Sequence, residues 1–220
     1  ETFLKLPLAT RNTQTKSNPT WTEESSEKIQ IILDTSKDFL DEVDLPHGIY
    51  PLSPVEIQNI INNSNKGFPG ADQWPIALNQ ATTSNILGLK ITGNNLPTLE
   101  LIIPDQKETL CSTRLILDLE EEAKLELFQV IVGSTYSAHS HISQIFLQDG
   151  AELQHNLVAL GDGQSSLLAN TFVEQNCSSE YSLTAIQHGW ALSRFEPQVI
   201  QLDGKAKTTL RGLQISSKNE

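Results

Sequence analysis

Methionine is absent from all 220 residues, and position 1 is Glu1. A chain without an initiator reads as an internal piece of a longer protein, and its stop at Glu220 is expected to cut a structural unit short. Cysteine is nearly as scarce. Cys111 and Cys177 are too few for a disulfide framework and fit a reducing compartment, the cytoplasm or a plastid stroma. Basic side chains are outnumbered, 15 against 27 acidic, and the net charge of −12 disfavours nucleic acid or an anionic membrane as a partner. No apolar run approaches the roughly 20 residues of a membrane helix. The opening Glu1-Thr2-Phe3-Leu4-Lys5 lacks the pattern of a secretory signal. No glycine-rich stretch leads into Lys-Ser or Lys-Thr, and Asp162-Gly163 reads as a turn, so no phosphate-cradling loop is expected.

What the chain does have is a repeat. With Asn95, Ala123, Ala151, Ser179 and Ala206 as anchors, the spacing is 28, 28, 28 and 27 residues. Six residues before the anchors stand Leu89, Leu117, Ile145, Val173 and Ile200, and four before them Ile91, Leu119, Leu147, Gln175 and Leu202. Four after stand Leu99, Leu127, His155, Leu183 and Leu210; seven after, Ile102, Val130, Val158, Ile186 and Leu213. A fixed period of this length marks a solenoid whose units bury their apolar faces against one another. Within a unit the apolar residues alternate, as in Leu115, Leu117, Leu119 and Leu125, Leu127, which is the period of strands. Polar corners at 93–94, 120–122, 148–150, 176–178 and 203–205 separate the strands, and Gly133, Gly161 and Gly189 stand where longer return turns begin. The pattern predicts a mainly β fold: a flattened, right-handed parallel β-helix with two strands per coil over residues 86–220. Leu117, Ile145, Val173 and Ile200 should be buried one above another.

Residues 1–85 read as a small α/β region, beginning with a loose polar lead-in over 7–28. Strands are expected at Ile29–Asp34 and Ile49–Leu52, the second entered through the turn at Leu45-Pro46-His47-Gly48. Ser53-Pro54 followed by Glu56 predicts a helix start, with Ile57, Ile60 and Ile61 as its apolar face and a break at 62–70. A second helix is expected from about Asp72 to Thr82, with Trp74, Ala77, Leu78 and Ala81 on one face. The boundary falls near Ser84–Asn85, where the period changes.

The reactive-looking residues point to no catalytic or metal constellation. His139 and His141 share a strand face, and His155 sits in a leucine column pointing into the coil. A metal or cluster reading would gather His141, His155 and Cys177 around one point. Their spacing matches no ligand motif, so His155 reads as a core histidine satisfied by a neighbour and Cys177 as part of a polar corner. Cys111 is expected in a turn before Arg114. Glu120-Glu121-Glu122 reads as a solvated corner rather than paired acid–base carboxylates. Arg114, Arg194 and Arg211 fall in different columns and make no basic groove. No catalytic, cofactor or metal residue is therefore assigned.

Four stretches resemble the SufD proteins of the SufB/SufD family, subunits of the SUF iron–sulfur cluster assembly scaffold. They are Asp44-Leu45-Pro46-His47-Gly48-Ile49, Ala77-Leu78-Asn79-x-Ala81, Ala151-Glu152-Leu153-Gln154-His155, and Gly189-x-x-Leu192-Ser193-Arg194. The last continues through Val199, Leu202, Gly204, Ala206, Leu210, Gly212 and Leu213. Ser140-His141-Ile142-Ser143 departs from the run usual there. The resemblance implies a β-helical, non-catalytic scaffold that pairs with a SufB-like paralogue and recruits a SufC-like ATPase through helices expected beyond Glu220. It implies that any cluster is handled transiently by the whole complex, and that this chain holds no cofactor and binds neither nucleic acid nor membrane. Two other classes fit a β-solenoid. A secreted carbohydrate-active enzyme would need acids and bases clustered on adjacent coils, and an adhesin-like binding solenoid would need an export signal.

Overall fold

In the computed structural model, residues 28–36, 38–40, 43–64, 73–105, 109–134, 136–202 and 204–216 are described. The expected lead-in over 7–28 lies outside them except for Lys28. Twelve strands and two helices are present among these residues: β1 Lys28–Ile32, β2 Ile49–Pro51, α1 Pro54–Ser64, α2 Trp74–Thr82, β3 Ile86–Ile91, β4 Thr98–Ile103, β5 Leu110–Leu119, β6 Lys124–Val132, β7 Ala138–Leu147, β8 Glu152–Leu160, β9 Ser166–Gln175, β10 Glu180–His188, β11 Leu192–Gln201 and β12 Lys207–Ile215.

The strands form two six-stranded sheets. The first runs β1-β4-β6-β8-β10-β12 and the second β11-β9-β7-β5-β3-β2. Every pairing is parallel except β2 with β3. The chain passes from one sheet to the other at each corner and return turn, so the fold is a parallel β-solenoid. Strands β1 and β2 place the N-terminal region on both sheets.

Leu89, Leu117, Ile145 and Val173 stack in register and are fully buried between the sheets. Beside them run Leu99, Leu127, His155 and Leu183 from the facing sheet, also buried. The columns form one continuous apolar core, and burial of such side chains stabilises by about 1.5–3 kcal/mol each.

The last members of two columns expected from the repeat need correction. The residue stacked on Val173 is Val199, and Ile200 stacks on Glu174; likewise Gln201, not Leu202, stacks on Gln175. The return turn from Gly189 to Leu192 is shorter than the one from Gly161 to Ser166, whereas the next corner is longer. Counting back from Ala206 therefore slips by one residue, and a slip of one exchanges the faces of a strand. At the first corner, the Lys124 N–H bonds to the Gly93 carbonyl rather than to Asn95.

Ile102, Val130, Val158, Ile186 and Leu213 form a further column. They do stack, but three residues beyond an inward column they must point outward. Ile32 extends them, and Ile32 and Leu213 are half exposed. The outer face of the first sheet thus carries an apolar, mostly β-branched column.

Helix α1 begins as its sequence predicts. The Ser53 N–H and hydroxyl donate to Glu56 Oε2 at 2.8 and 2.6 Å, and the Glu56 N–H returns to Ser53 Oγ at 3.3 Å, closing a capping box. Ile57, Ile60 and Ile61 form its partly buried side. Helix α2 turns a different face to the solenoid. It buries Pro75, Ile76 and Asn79, while Trp74, Ala77 and Ala81 face solvent. A polar residue occupies the buried face because it has backbone to hold. Asn79 Nδ2 donates to the Thr113 carbonyl at 3.2 Å and to the Ser140 carbonyl at 2.9 Å, tying α2 across β5 and β7. Ile76 meets Ile142 and Phe172 alongside. Asn79→Ala should cost about 1–3 kcal/mol by stranding buried groups, read as a lowered urea midpoint with an unchanged slope.

The return turns depend on glycine for close approach. A Cβ at Gly161 would lie 2.2 Å from the Gly189 carbonyl oxygen, and one at Gly133 would lie 2.4 Å from the Trp190 ring. Gly161→Ala is therefore expected to destabilise by about 1–3 kcal/mol, the usual penalty of overpacking, whereas Gly204→Ala, with open space, should be nearly silent in the same melt.

Candidate functional site

Polar residues interrupt the inward columns at neighbouring coils. Gln129 stands between Leu101 and Leu157, His155 between Leu127 and Leu183, and Tyr181 above Leu153. From the opposite sheet come Thr113 and His141, stacked in register, and Ser143. All six are buried. Burying polar groups among leucines costs stability unless each finds a partner, and here they find one another.

His155 Nε2 lies 3.0 Å from Gln129 Oε1, an acceptor, so that nitrogen carries the proton. The other nitrogen, Nδ1, then accepts from the Tyr181 hydroxyl at 3.0 Å. The Gln129 amide Nε2 donates to His141 Nε2 at 2.6 Å, and the Ser143 hydroxyl reaches the same nitrogen at 2.9 Å. His141 Nδ1 therefore carries its proton and donates to Thr113 Oγ1 at 2.7 Å. The donors all run one way, from Tyr181 through His155, Gln129 and His141 to Thr113. This relay crosses the interior and pins the two sheets together, with one imidazole protonated on Nε2 and the other on Nδ1.

Its electrostatics follow from burial. Desolvation, with a smaller contribution from His155 and His139, pushes His141 down to about 3. Desolvation alone pushes His155 down to about 4 and raises the Tyr181 hydroxyl well above the usual phenol range. Both imidazoles are neutral at physiological pH. They can donate and accept hydrogen bonds, but they are held against taking up a proton.

The structure brings His141 and His155 together through Gln129 and leaves Cys177 apart. Cys177 occupies a corner turn, half-buried, 3.6 Å from Ser178 Oγ. Cys111 is not in a turn: it is an inward residue of β5, buried, and desolvation pushes its thiol up to about 11, far from a reactive thiolate. His139 shares the inward face with His141 and is buried beside Trp190. Glu121 and Glu122 are exposed, and Glu120 pairs with Lys90 at 2.5 Å on the surface. The stacked corners are braced by amides, Asn176 donating to Gln148 Oε1 at 2.8 Å and Gln148 to Asp118 Oδ1 at 3.1 Å.

Arg114, Arg194 and Arg211 occupy separate columns. Arg114 is buried, donating from Nε to Gln144 Oε1 at 2.8 Å, and burial lowers its guanidinium to about 10. Arg194 pairs with Glu196 at 2.7 Å and reaches Gln73 at 2.9 Å. Among the described residues, no three His, Cys, Asp or Glu side chains are grouped to hold a metal, and no helix is long and apolar enough to cross a membrane.

Gln129, Tyr181, Thr113, Ser143 and Asn79 were missed as site residues by sequence reasoning. The signal available for Gln129 and Tyr181 was their place in otherwise apolar columns.

Fold and interior together define a parallel β-solenoid of short coils, its two sheets locked by buried polar side chains. Residues 102–220, over half of the chain, match the model of the SufBD core domain of the SUF system for FeS cluster assembly. The chain belongs to the SufB/SufD family, and its role lies in SUF iron–sulfur cluster assembly. No curated protein matches it significantly.

Proposed function

We propose that this chain is a scaffold subunit of the SufD kind, non-catalytic itself, which pairs with a SufB-like paralogue and recruits a SufC-like ATPase. The observation that carries this reading is the SufBD core match over residues 102–220. The SufD assignment within the family draws on the Asp44–Ile49, Ala77–Ala81 and Gly189–Leu213 stretches, the first two of which lie ahead of the matched segment. The structure supports a scaffold role in a specific way. The described sheets end at β11 and β12, where the inward residue Leu210 is half exposed. Strand edges and apolar side chains of this kind accept a further layer of strands, from the same chain or a β-helical partner. ATP hydrolysis belongs to the partner on this reading, and the assembling cluster is cargo of the complex.

The test is co-purification of the whole protein with a SufB-like and a SufC-like subunit, followed by cluster assembly assayed with and without it. Association with both and a loss of assembly when it is omitted are expected. A protein that binds neither partner and leaves assembly unchanged contradicts the proposal.

A further inference from the structure

Among the described residues, five buried side-chain atoms have no hydrogen-bond partner: both ring nitrogens of His139, Ser165 Oγ, Trp190 Nε1 and Gln198 Oε1. Four of the five belong to residues gathered at the return-turn end of the solenoid. The His139 and Trp190 rings meet edge to face, with centroids 5.8 Å apart. Trp190 and Ser165 meet over Gly133, where an added Cβ would lie 2.4 Å from the indole and 2.8 Å from Ser165 Oγ. All three residues are buried, at 1%, 0% and 5% exposure for His139, Ser165 and Trp190. The polar groups next to them are satisfied: Ser134 bonds Asp105 through its N–H at 2.9 Å, and Ser137 Oγ bonds the Ser134 carbonyl at 2.7 Å.

We propose that the return end of the solenoid encloses a hydration site in which buried water joins Trp190 Nε1, Ser165 Oγ and the His139 imidazole. The donor set selects the ligand. An indole N–H only donates, a serine hydroxyl does both, and an imidazole that burial keeps neutral offers one donor and one acceptor. An anion would meet the Asp105 carboxylate, whose field His139 feels, and a cation would meet the indole N–H. A neutral molecule that both donates and accepts, as water does, satisfies all three residues. The two His139 nitrogens lie on different sides of the ring, so any one water meets at most one of them. The water fastens β7 to the turns that follow β8 and β10, as a protein side chain would.

A high-resolution crystal structure of the whole protein, with water–protein NOE and ROE spectra on the same sample, tests this. Ordered water within hydrogen-bond distance of at least two of the three residues is expected, with a cross-peak from the Trp190 indole proton to a long-lived water. Trp190→Phe keeps the packing but removes the N–H, and Ser165→Ala removes the hydroxyl; each should lose the water nearest the altered group. A dry cavity, with the His139 N–H aimed at the indole face and no cross-peak from Trp190, would overturn the proposal. So would waters left unmoved in both variants.

Discussion

Leu127→Asp is expected to abolish cooperative folding, and Glu121→Ala to leave the melt nearly unchanged. Leu127 is fully buried, stacked between Leu99 and His155. A carboxylate there would sit among leucines, with the neutral relay above it and no cation within the column. It must either remain charged in an apolar interior or take up a proton, and both cost several kcal/mol. The coils below and above depend on the same column, so the damage spreads through the stack. Glu121 is an exposed corner residue whose loss falls within about 0.5 kcal/mol. Soluble yield and thermal melts of the two variants check this, and equal behaviour would mean that the strands face the other way.

Mild acid should destabilise the fold steeply. In the unfolded chain a histidine titrates near 6.5; buried in the relay, His155 is pushed down to about 4 and His141 to about 3. Between these values the unfolded chain binds protons that the folded chain refuses, so unfolding gains as pH falls. Stability from these groups is fully present above about pH 6.5 and is lost progressively below it, at about 1.4 kcal/mol per pH unit for each imidazole. Glu174, whose carboxyl burial raises, opposes this in the carboxylate range. Urea denaturation at several pH values between neutrality and the onset of acid unfolding should show the midpoint falling, and His155→Gln should flatten the slope. A midpoint constant across that range would contradict the buried neutral relay.

Much of the solenoid was legible because its signal is repeated. The leucine columns recur at one spacing, so chance agreement at one position is corrected at the next. The failures came where the repeat is irregular or its neighbours lie far apart in sequence. The uneven turns around β11 cannot be seen by counting from a single anchor, which put Ile200 and Leu202 one residue out of column. The Ile102–Leu213 column was legible as a repeat, whereas the face it takes was not, because β-branched residues suit either face of a strand. On α2, Trp74, Ala77, Leu78 and Ala81 were legible as one face, but the decisive contact is between Asn79 and carbonyls on strands 34 and 61 residues away. The histidines were visible as candidates, whereas their mutual geometry was not. It depends on Gln129, whose amide gives the relay its direction. Cys111 was misplaced because its Leu-Cys-Ser-Thr context reads as a turn until β7 pairs beside it.

The most direct test of the interior is nitrogen-15 NMR of the histidine side chains in the whole protein at neutral pH. Two neutral imidazoles of opposite tautomer are expected, His155 protonated on Nε2 and His141 on Nδ1, and neither should titrate near 6.5. Two matching tautomers, or a charged imidazole at either position, would contradict the relay that joins the two sheets.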